Sequence, residues 1–283
     1  MQNADEHEAE VSIAQVRAGE DPVTRNDVLA VEEPMEIRVT FGRSGARAGK
    51  SLSITMRTPG ADFELAAGFL FTEGILKNRE QICAIEFCGP VAPGRKTSNI
   101  VRVELTADVE LDLGLLERHF YTTSSCGICG KASLDAVQVK GIEKLLPGPT
   151  FERDRIHELP AKLRAAQPVF ERTGGLHAAG LATPDGEMRE IREDVGRHNA
   201  VDKLIGRRFL DGRTPLRNHA MVVSGRASFE ILQKALVAGI PAIVAVGAPS
   251  SLAVEMAERF GMTLVGFASD ERFNIYTGAE RLV

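Results

Sequence analysis

Two cysteines separated by two residues, Cys126 and Cys129, stand in the stretch Ser124-Ser125-Cys126-Gly127-Ile128-Cys129-Gly130-Lys131. The sequence predicts a helix over 132–139 directly after them, so the amides at its start and the Lys131 ammonium would stabilise a thiolate. Such surroundings can move a thiol pKa from about 8.5 to roughly 3.5–7.5, which makes the sulfur a nucleophile near neutral pH. Cys-x-x-Cys serves redox, zinc and sulfur-transfer chemistry alike. A four-thiolate zinc site would also take Cys83 and Cys88. Those two flank Ala84-Ile85-Glu86-Phe87, which reads as a strand, and a separation of five puts them on opposite faces if the strand is regular. Core packing is therefore the expectation for both. A zinc deaminase needs His-x-Glu followed by Pro-Cys-x-x-Cys, but the sequence contains no His-x-Glu and Ser125 precedes Cys126. A thioredoxin-like pair would follow an early central strand, whereas more than a hundred residues precede this one. No Gly-x-Ser-x-Gly elbow is present for a serine hydrolase.

Other candidates are polar residues beside glycines and helix starts. Arg197-His198-Asn199, with Asp194 and Asp202 nearby, puts an imidazole and a guanidinium at a helix N-terminus, a place suited to phosphate binding or proton transfer. A histidine there also serves as a cap or a surface residue. His177 follows Gly174-Gly175, which would let a ligand approach the backbone. Ser224-Gly225-Arg226-Ala227-Ser228 lies between a strand end and a helix start, where Arg226 and Ser228 could hold a phosphate.

The elements that must carry these residues change character along the chain. Residues 1–30 are polar and acidic and read as a flexible tail. Alternating runs over 35–41 and 51–56 predict a hairpin. Thr58-Pro59-Gly60 leads into a helix with Phe63, Ala66, Ala67 and Leu70 on one stripe and Gly74 as its stop. Strands are expected over 82–87 and 99–105, with a short helix over 113–119. Pro147-Gly148-Pro149 marks a domain boundary, which separates an N-terminal α+β domain, 31–150, from a second domain, 151–283. The second half predicts a helix over 161–171, then a hairpin turning at Pro184-Asp185-Gly186. After it come a helix capped by Asn199, strand 220–223, helix 228–238, strand 242–246, helix 251–260 and strand 263–267. That order is an α/β domain with a partly parallel, mixed sheet. Gly225, Ser228 and Gly239 recur at an offset of 22 as Gly247, Ser250 and Gly261, the signature of two consecutive βα units. Their loops, together with 268–273, follow the carboxyl ends of strands, where open α/β sheets bind ligands.

Composition sets the outer limits. The 283 residues carry 34 basic and 39 acidic side chains for a formal charge of −5, with 43% hydrophobic and 26% charged residues. This is an ordinary globular composition, which argues against a disordered chain or a general nucleic-acid binder. Four cysteines are too few for a disulfide scaffold, and residues 1–13 lack the basic and apolar regions of a secretory signal. A reducing cytoplasm is the expected compartment. The uncharged run 235–254 is nominally long enough to span a membrane, but Gly239, Pro241, Gly247 and Pro249 break it into a helix end, a strand and a loop, so no membrane association is expected.

Four blocks in order make a more specific pattern: Ser125-Cys126-Gly127-Ile128-Cys129-Gly130, Gly174-Gly175-Leu176-His177, Glu193-Asp194-Val195-Gly196-Arg197-His198-Asn199, and Ser224-Gly225-Arg226-Ala227-Ser228. From about Glu33 onward the sequence resembles the formate dehydrogenase accessory sulfurtransferase family, FdhD. The resemblance implies a sulfurtransferase that takes sulfur from a cysteine desulfurase as a persulfide on Cys126. It implies delivery to the molybdenum of bis-molybdopterin guanine dinucleotide before that cofactor enters formate dehydrogenase. Cys129 matches the family's second cysteine, either assisting transfer or resolving the persulfide. Ala268, Ser269, Asp270, Glu271, Arg272 and Phe273 match its cofactor-binding stretch, with a guanine nucleotide as a possible mimic of the cargo. A cytidine-deaminase-like C-terminal domain and a homodimer are implied as well. On this frame His177, Arg197, His198, Ser224, Gly225, Arg226 and Ser228 would face the cofactor, and no metal is held by the protein. The alternative is a zinc- or nucleotide-binding module in which the cysteine pair is structural.

Overall fold

The computed structural model describes residues 7–43, 45–109, 111 and 144–283. Cys126, Cys129 and the helices expected over 113–119 and 132–139 lie outside the described residues.

Two sheets form the frame, with a separate hairpin before them. The tail expected over 1–30 is corrected from Glu8 onward, because β1 (Glu8–Gln15) and β2 (Val23–Ala30) pair as an antiparallel hairpin. Only Val11 and Ile13 alternate in an apolar sense within β1, and β2 is largely polar, so the sequence signal is weak. The hairpin is tied down from outside: Arg172 forms an ion pair with Glu8.

Next come β3 (Glu33–Phe41), β4 (Ala48–Arg57), β5 (Ile82–Phe87) and β6 (Ile100–Leu105), in the spatial order β4-β3-β6-β5. Met35, Ile37, Val39, Val101, Val103 and Leu105 are all fully buried. This period of two places one face of the sheet on the core. The core expectation for the cysteines in and just after β5 is also corrected: Cys83 is exposed and Cys88 only half-buried. The ladder with β6 shifts register between Ile82 and Ala84, so the strand is not regular where Cys83 stands.

Helix α1 (Asp62–Thr72) covers this sheet, and Gly74 follows it with φ +78° as the stop. Beyond Pro147-Gly148-Pro149, α2 (Arg153–Ala165) and α3 (Pro168–Thr173) replace the single helix expected over 161–171. Pro160 is accommodated inside α2, and Pro168 restarts the chain at the first turn of α3, where its missing N–H costs nothing.

The hairpin β7 (His177–Ala182) and β8 (Met188–Asp194) turns at Gly186 with φ +77°. It is followed by α4 (Arg197–Leu210), β9 (Ala220–Val223), α5 (Phe229–Val237), β10 (Ala242–Ala245), α6 (Ser251–Phe260), β11 (Thr263–Gly266) and β12 (Asn274–Thr277). The six-stranded sheet runs β12-β11-β10-β9-β7-β8, with β9, β10 and β11 parallel and the others antiparallel. The expected mixed α/β frame is present, with β12 as an unforeseen edge. The uncharged run 235–254 is divided among α5, β10 and α6, and among the described residues no helix is long and apolar enough to cross a membrane.

Every residue of β9, β10 and β11 is buried, as parallel strands covered on both faces require. Ala220, Val222, Ala242, Val244 and Val265 pack with Ile156, Leu159 and Leu163 of α2. Met221, Val223, Ile243, Ala245 and Leu264 face α4, α5 and α6 and join the core of the N-terminal sheet. The two halves of the chain therefore share one apolar core.

Their junction is the crossing of α1 and α4. A Cβ on Gly68 would lie 1.9 Å from the Asp202 carbonyl oxygen, and one on Gly206 would lie 1.8 Å from that of Glu64. The helices meet backbone to backbone, and no side chain fits between them. We expect Gly68→Ala or Gly206→Ala to cost about 3 kcal/mol or more by overpacking. Gly49→Ala, whose Cβ would meet nothing closer than 3.9 Å, should stay within about 0.5 kcal/mol. Denaturant unfolding of the three variants checks this contrast.

Candidate functional site at the carboxyl edge of the parallel strands

Three loops follow the parallel strands and are bonded to one another. Gly247 N–H donates to Gly225 O (3.0 Å), Ala227 N–H to Ala248 O (3.2 Å), Ser250 N–H to Ala227 O (3.0 Å) and Phe267 N–H to Gly247 O (3.2 Å). Phe267 holds φ +52°, a conformation a bulky residue rarely adopts, while its side chain stays exposed. Such strain persists only where the surroundings enforce it, and it clusters at functional sites. Ala268 is pinned by its N–H to Ala245 O (3.0 Å). Asp270, Glu271 and Arg272 form an exposed turn closed by Ser269, whose Oγ accepts from Arg272 N–H (3.1 Å). Phe273 is half-buried against the ring of His157, with centroids 4.7 Å apart, and His157 Nδ1 lies 3.1 Å from Ser269 O.

His177, Arg197, His198 and the segment from Ser224 to Ser228 come together beside these loops. Ser224 Oγ accepts from Ala178 N–H (2.9 Å), which fixes the first loop against β7. The His177 imidazole lies against the loop at Gly225, where a Cβ would be in ordinary contact at 3.4 Å from His177 Nδ1. Ser228 occupies the N-cap of α5 without making a side-chain capping bond. Arg226 is exposed at the loop tip.

Asn199 is not the cap expected for α4. The helix begins at Arg197 after Gly196, and the upstream Asp194 Oδ1 accepts from Gly196 N–H (2.8 Å) and from Asn199 Nδ2 (3.0 Å). Asn199 instead ties the helix to β4, donating to Met56 O (2.7 Å) and accepting from Thr55 Oγ1 (3.1 Å). The other Asp194 oxygen pairs with the buried Lys203 ammonium at 2.7 Å. The start of α4 is thus anchored from below, leaving Arg197 and His198 at its tip.

Burial, reinforced by the Arg197 and Lys234 charges and opposed by Glu230 and Glu73, pushes His198 down to about 4. Burial first, then Arg197, also lowers His177, against Asp194. Among the described residues, His198 Nε2 and Arg197 Nε are buried without a hydrogen-bond partner. A neutral imidazole and a fixed cation with unused capacity suit an anionic group or a proton transfer.

A cavity of about 640 Å³ opens beside His177 and Ser224, between the sheet edge and α2 and α3. Its wall includes Pro160, Arg164, Gln167 and Phe170, which sequence reasoning did not single out. The Glu193 carboxylate holds Phe170 in place by accepting from Val169 N–H (3.3 Å) and Phe170 N–H (2.8 Å). The Arg164 guanidinium lies 3.9 Å from the Phe170 ring centroid. The only available signal was Gly174-Gly175 before His177, and it pointed at the cavity floor. Among the described residues no group of three or more His, Cys, Asp or Glu side chains could hold a metal ion.

The model of the FdhD/NarQ family matches residues 30–283. The chain belongs to that family. It is 52% identical to a protein of Streptomyces avermitilis named sulfur carrier protein FdhD, over 92% of this chain and 90% of that one. It is 49% identical to a protein of the same name in Mycobacterium tuberculosis, covering 92% and 93% of the two chains. The crystal structure of a proposed formate dehydrogenase accessory protein from Desulfotalea psychrophila superposes with a TM-score of 0.72 at 25% identity, covering 98% of this chain and 99% of that one. The FdhD/NarQ kinship thus includes both sheets and all three loops, while most of the β1–β2 hairpin precedes the matched residues.

The depressed His198 value has a measurable consequence. The folded state keeps the imidazole neutral, whereas the unfolded chain takes up a proton near 6.5. The contribution to stability is complete above about pH 6.5 and is lost as pH falls toward 4. NMR titration should show His198 titrating near pH 4, and His198→Gln should flatten the loss of stability across that window.

Proposed function

We infer that the protein is a sulfur carrier acting in the maturation of formate dehydrogenase, with Cys126 as the residue that carries the sulfur. The observation that supports this most directly is near-full-length kinship with proteins named sulfur carrier protein FdhD, combined with Cys126-x-x-Cys129 in a Gly/Ser-rich stretch. The Cys126 thiolate attacks the terminal sulfur of a cysteine desulfurase persulfide. An S–S bond forms on Cys126 as the donor's S–S bond breaks, and the donor leaves as a thiolate. The loaded sulfur goes to the molybdenum of bis-molybdopterin guanine dinucleotide, which is cargo on its way to formate dehydrogenase in the cytoplasm. Cys129 has two roles distinguishable by product. As a resolving thiol it closes a Cys126–Cys129 disulfide and releases the outer sulfur as sulfide; as an assisting group it leaves Cys126 a thiolate, and the two electrons that turn the transferred sulfane sulfur into a sulfide ligand come from the molybdenum centre that accepts it.

The carboxyl edge of the sheet suits the cargo's anionic arms. Arg197 and the first turns of α4, α5 and α6 present cationic and N–H groups to diphosphates, and Arg226 and Arg272 stand on two of the loops. The net charge of −5 therefore coexists with a local anion site. A homodimer would double these surfaces.

Incubation with a cysteine desulfurase and cysteine should add one sulfur atom at Cys126, located by peptide mass spectrometry. Cys126→Ala should abolish loading while keeping the unfolding midpoint of the parent. Full loading of that variant, or stoichiometric zinc bound by the cysteine pair, would overturn the assignment.

A further inference from the structure

We propose that a groove at the amino edge of the parallel strands docks the sulfur-donating protein through an acidic, apolar-anchored segment of that protein's surface. The inference rests on the carrier reading above and names the face that the donor meets. The groove has a volume of about 610 Å³ and lies before the first residues of β9 and β10, at the carboxyl ends of α1 and α5. Buried Phe71, Leu76 and Leu236 make its apolar floor, and Leu146, 63% exposed, stands at its rim. The charged residues of its wall are Lys77, Lys144 and Arg217, all exposed and all cationic.

Among the described residues, none of these three side chains makes an ion pair or a hydrogen bond. The helix ends beside them do not cancel their charge. Gly74 N–H donates to Phe71 O (2.9 Å), Gly239 N–H to Leu236 O (2.9 Å) and Leu216 N–H to Ala238 O (2.7 Å), so the chain itself bonds carbonyls that α1 and α5 leave over. Glu73, at the end of α1, is held by the buried Lys234 at 3.3 Å. Three unpaired cations around an apolar floor complement carboxylates that flank an apolar side chain, and such charges also steer encounter. Pro147, Pro215 and Pro241 restrict the backbone of the wall, so little ordering opposes docking.

Position names the donor as the occupant. The segment that includes Cys126 rejoins the described chain at Lys144, inside the groove's wall. A protein seated there meets the point from which the sulfur-bearing segment runs. The loops after β9, β10 and β11 lie at the other end of the same strands, so this occupant leaves them uncovered. A small anion would satisfy the cations but leave Leu146 and the apolar floor in water, whereas a protein segment answers both. A second copy meeting groove to groove would set like charges against each other.

Surface plasmon resonance of the full chain against the source organism's cysteine desulfurase, at low and high salt, tests the inference. The parent should bind, more weakly as salt rises. Lys144→Glu combined with Arg217→Glu should raise the Kd by roughly 10-fold or more, and Leu146→Ser should weaken binding without a change of charge. Both variants should keep the unfolding midpoint and the oligomer mass of the parent. If the charge-reversed chain is poorly folded, Lys144→Gln with Arg217→Gln carries the same comparison. Inorganic polysulfide, which needs no docking, should load Cys126 equally in the parent and the variants. An unchanged Kd in the variants, no binding of the desulfurase to the parent, or a changed oligomer mass in place of weaker donor binding overturns the docking face. Loading reads the carrier function separately. Normal loading by the desulfurase with a Kd indifferent to the groove would remove the docking face alone, and groove-dependent binding with no loading of Cys126 from either sulfur source would remove the carrier reading alone.

Discussion

Where α1 and α4 cross, peptide groups touch directly, and the two halves of the molecule are held at that spacing. Gly68 and Gly206 allow the approach, and the neighbouring buried charges make it specific. Lys203 pairs with Asp194 at 2.7 Å and donates to Thr58 O at 2.8 Å. Lys234 pairs with Asp202 at 2.9 Å and also donates to Thr72 Oγ1 at 3.0 Å. Each set joins a residue from the end of β4 or of α1 to one from α4 or α5. Removing one partner of such a pair typically costs about 3–5 kcal/mol, because the other charge is left buried and uncompensated. Apolar contact alone would tolerate some sliding of the helices. These cross-links set one register and so fix where the first turn of α4 points.

The properties of the site follow from that fixed turn. His198 and Arg197 are carried to the sheet edge on a helix that is anchored below, so neither needs a local partner to be held. Burial, reinforced by the nearby Arg197 and Lys234 charges, keeps His198 neutral. The same first turn leaves peptide N–H groups without intrahelical partners, as every helix start does. The loops opposite are knitted backbone to backbone, which leaves their side chains free for recognition.

Much of this frame was legible in the residues. The αβ periodicity from Ala220 to Gly266 was unambiguous because short, largely apolar strands alternate with amphipathic helices and glycine stops. The 35–41 and 51–56 hairpin was legible for the same reason, strict alternation around a Gly-rich connection. The misreadings have local physical causes. The helix expected over 161–171 is two helices, α2, which contains Pro160, and α3, which starts at Pro168. Asn199 looked like a cap because its residue type favours that role, while the helix starts after Gly196 with no side-chain cap and Asn199 lies inside its first turn. Cys83 looked buried because regular pleating was assumed where the ladder shifts. The loops after β9, β10 and β11 were visible as strand ends followed by small residues. Arg164, Gln167 and Phe170 were not, because their significance comes from the space that α2 and α3 enclose against the sheet edge, and no one-dimensional pattern records an enclosed volume.

The alternating facing of side chains along the fully buried β9, β10 and β11 divides the interior into two apolar clusters, one shared with α2 and one with α4, α5, α6 and the N-terminal sheet. Substitutions in clusters with no common partners combine almost additively. The sheet therefore acts as an energetic partition. Substitutions on the α2 wall can therefore accumulate with little effect on the helix crossing behind the sheet.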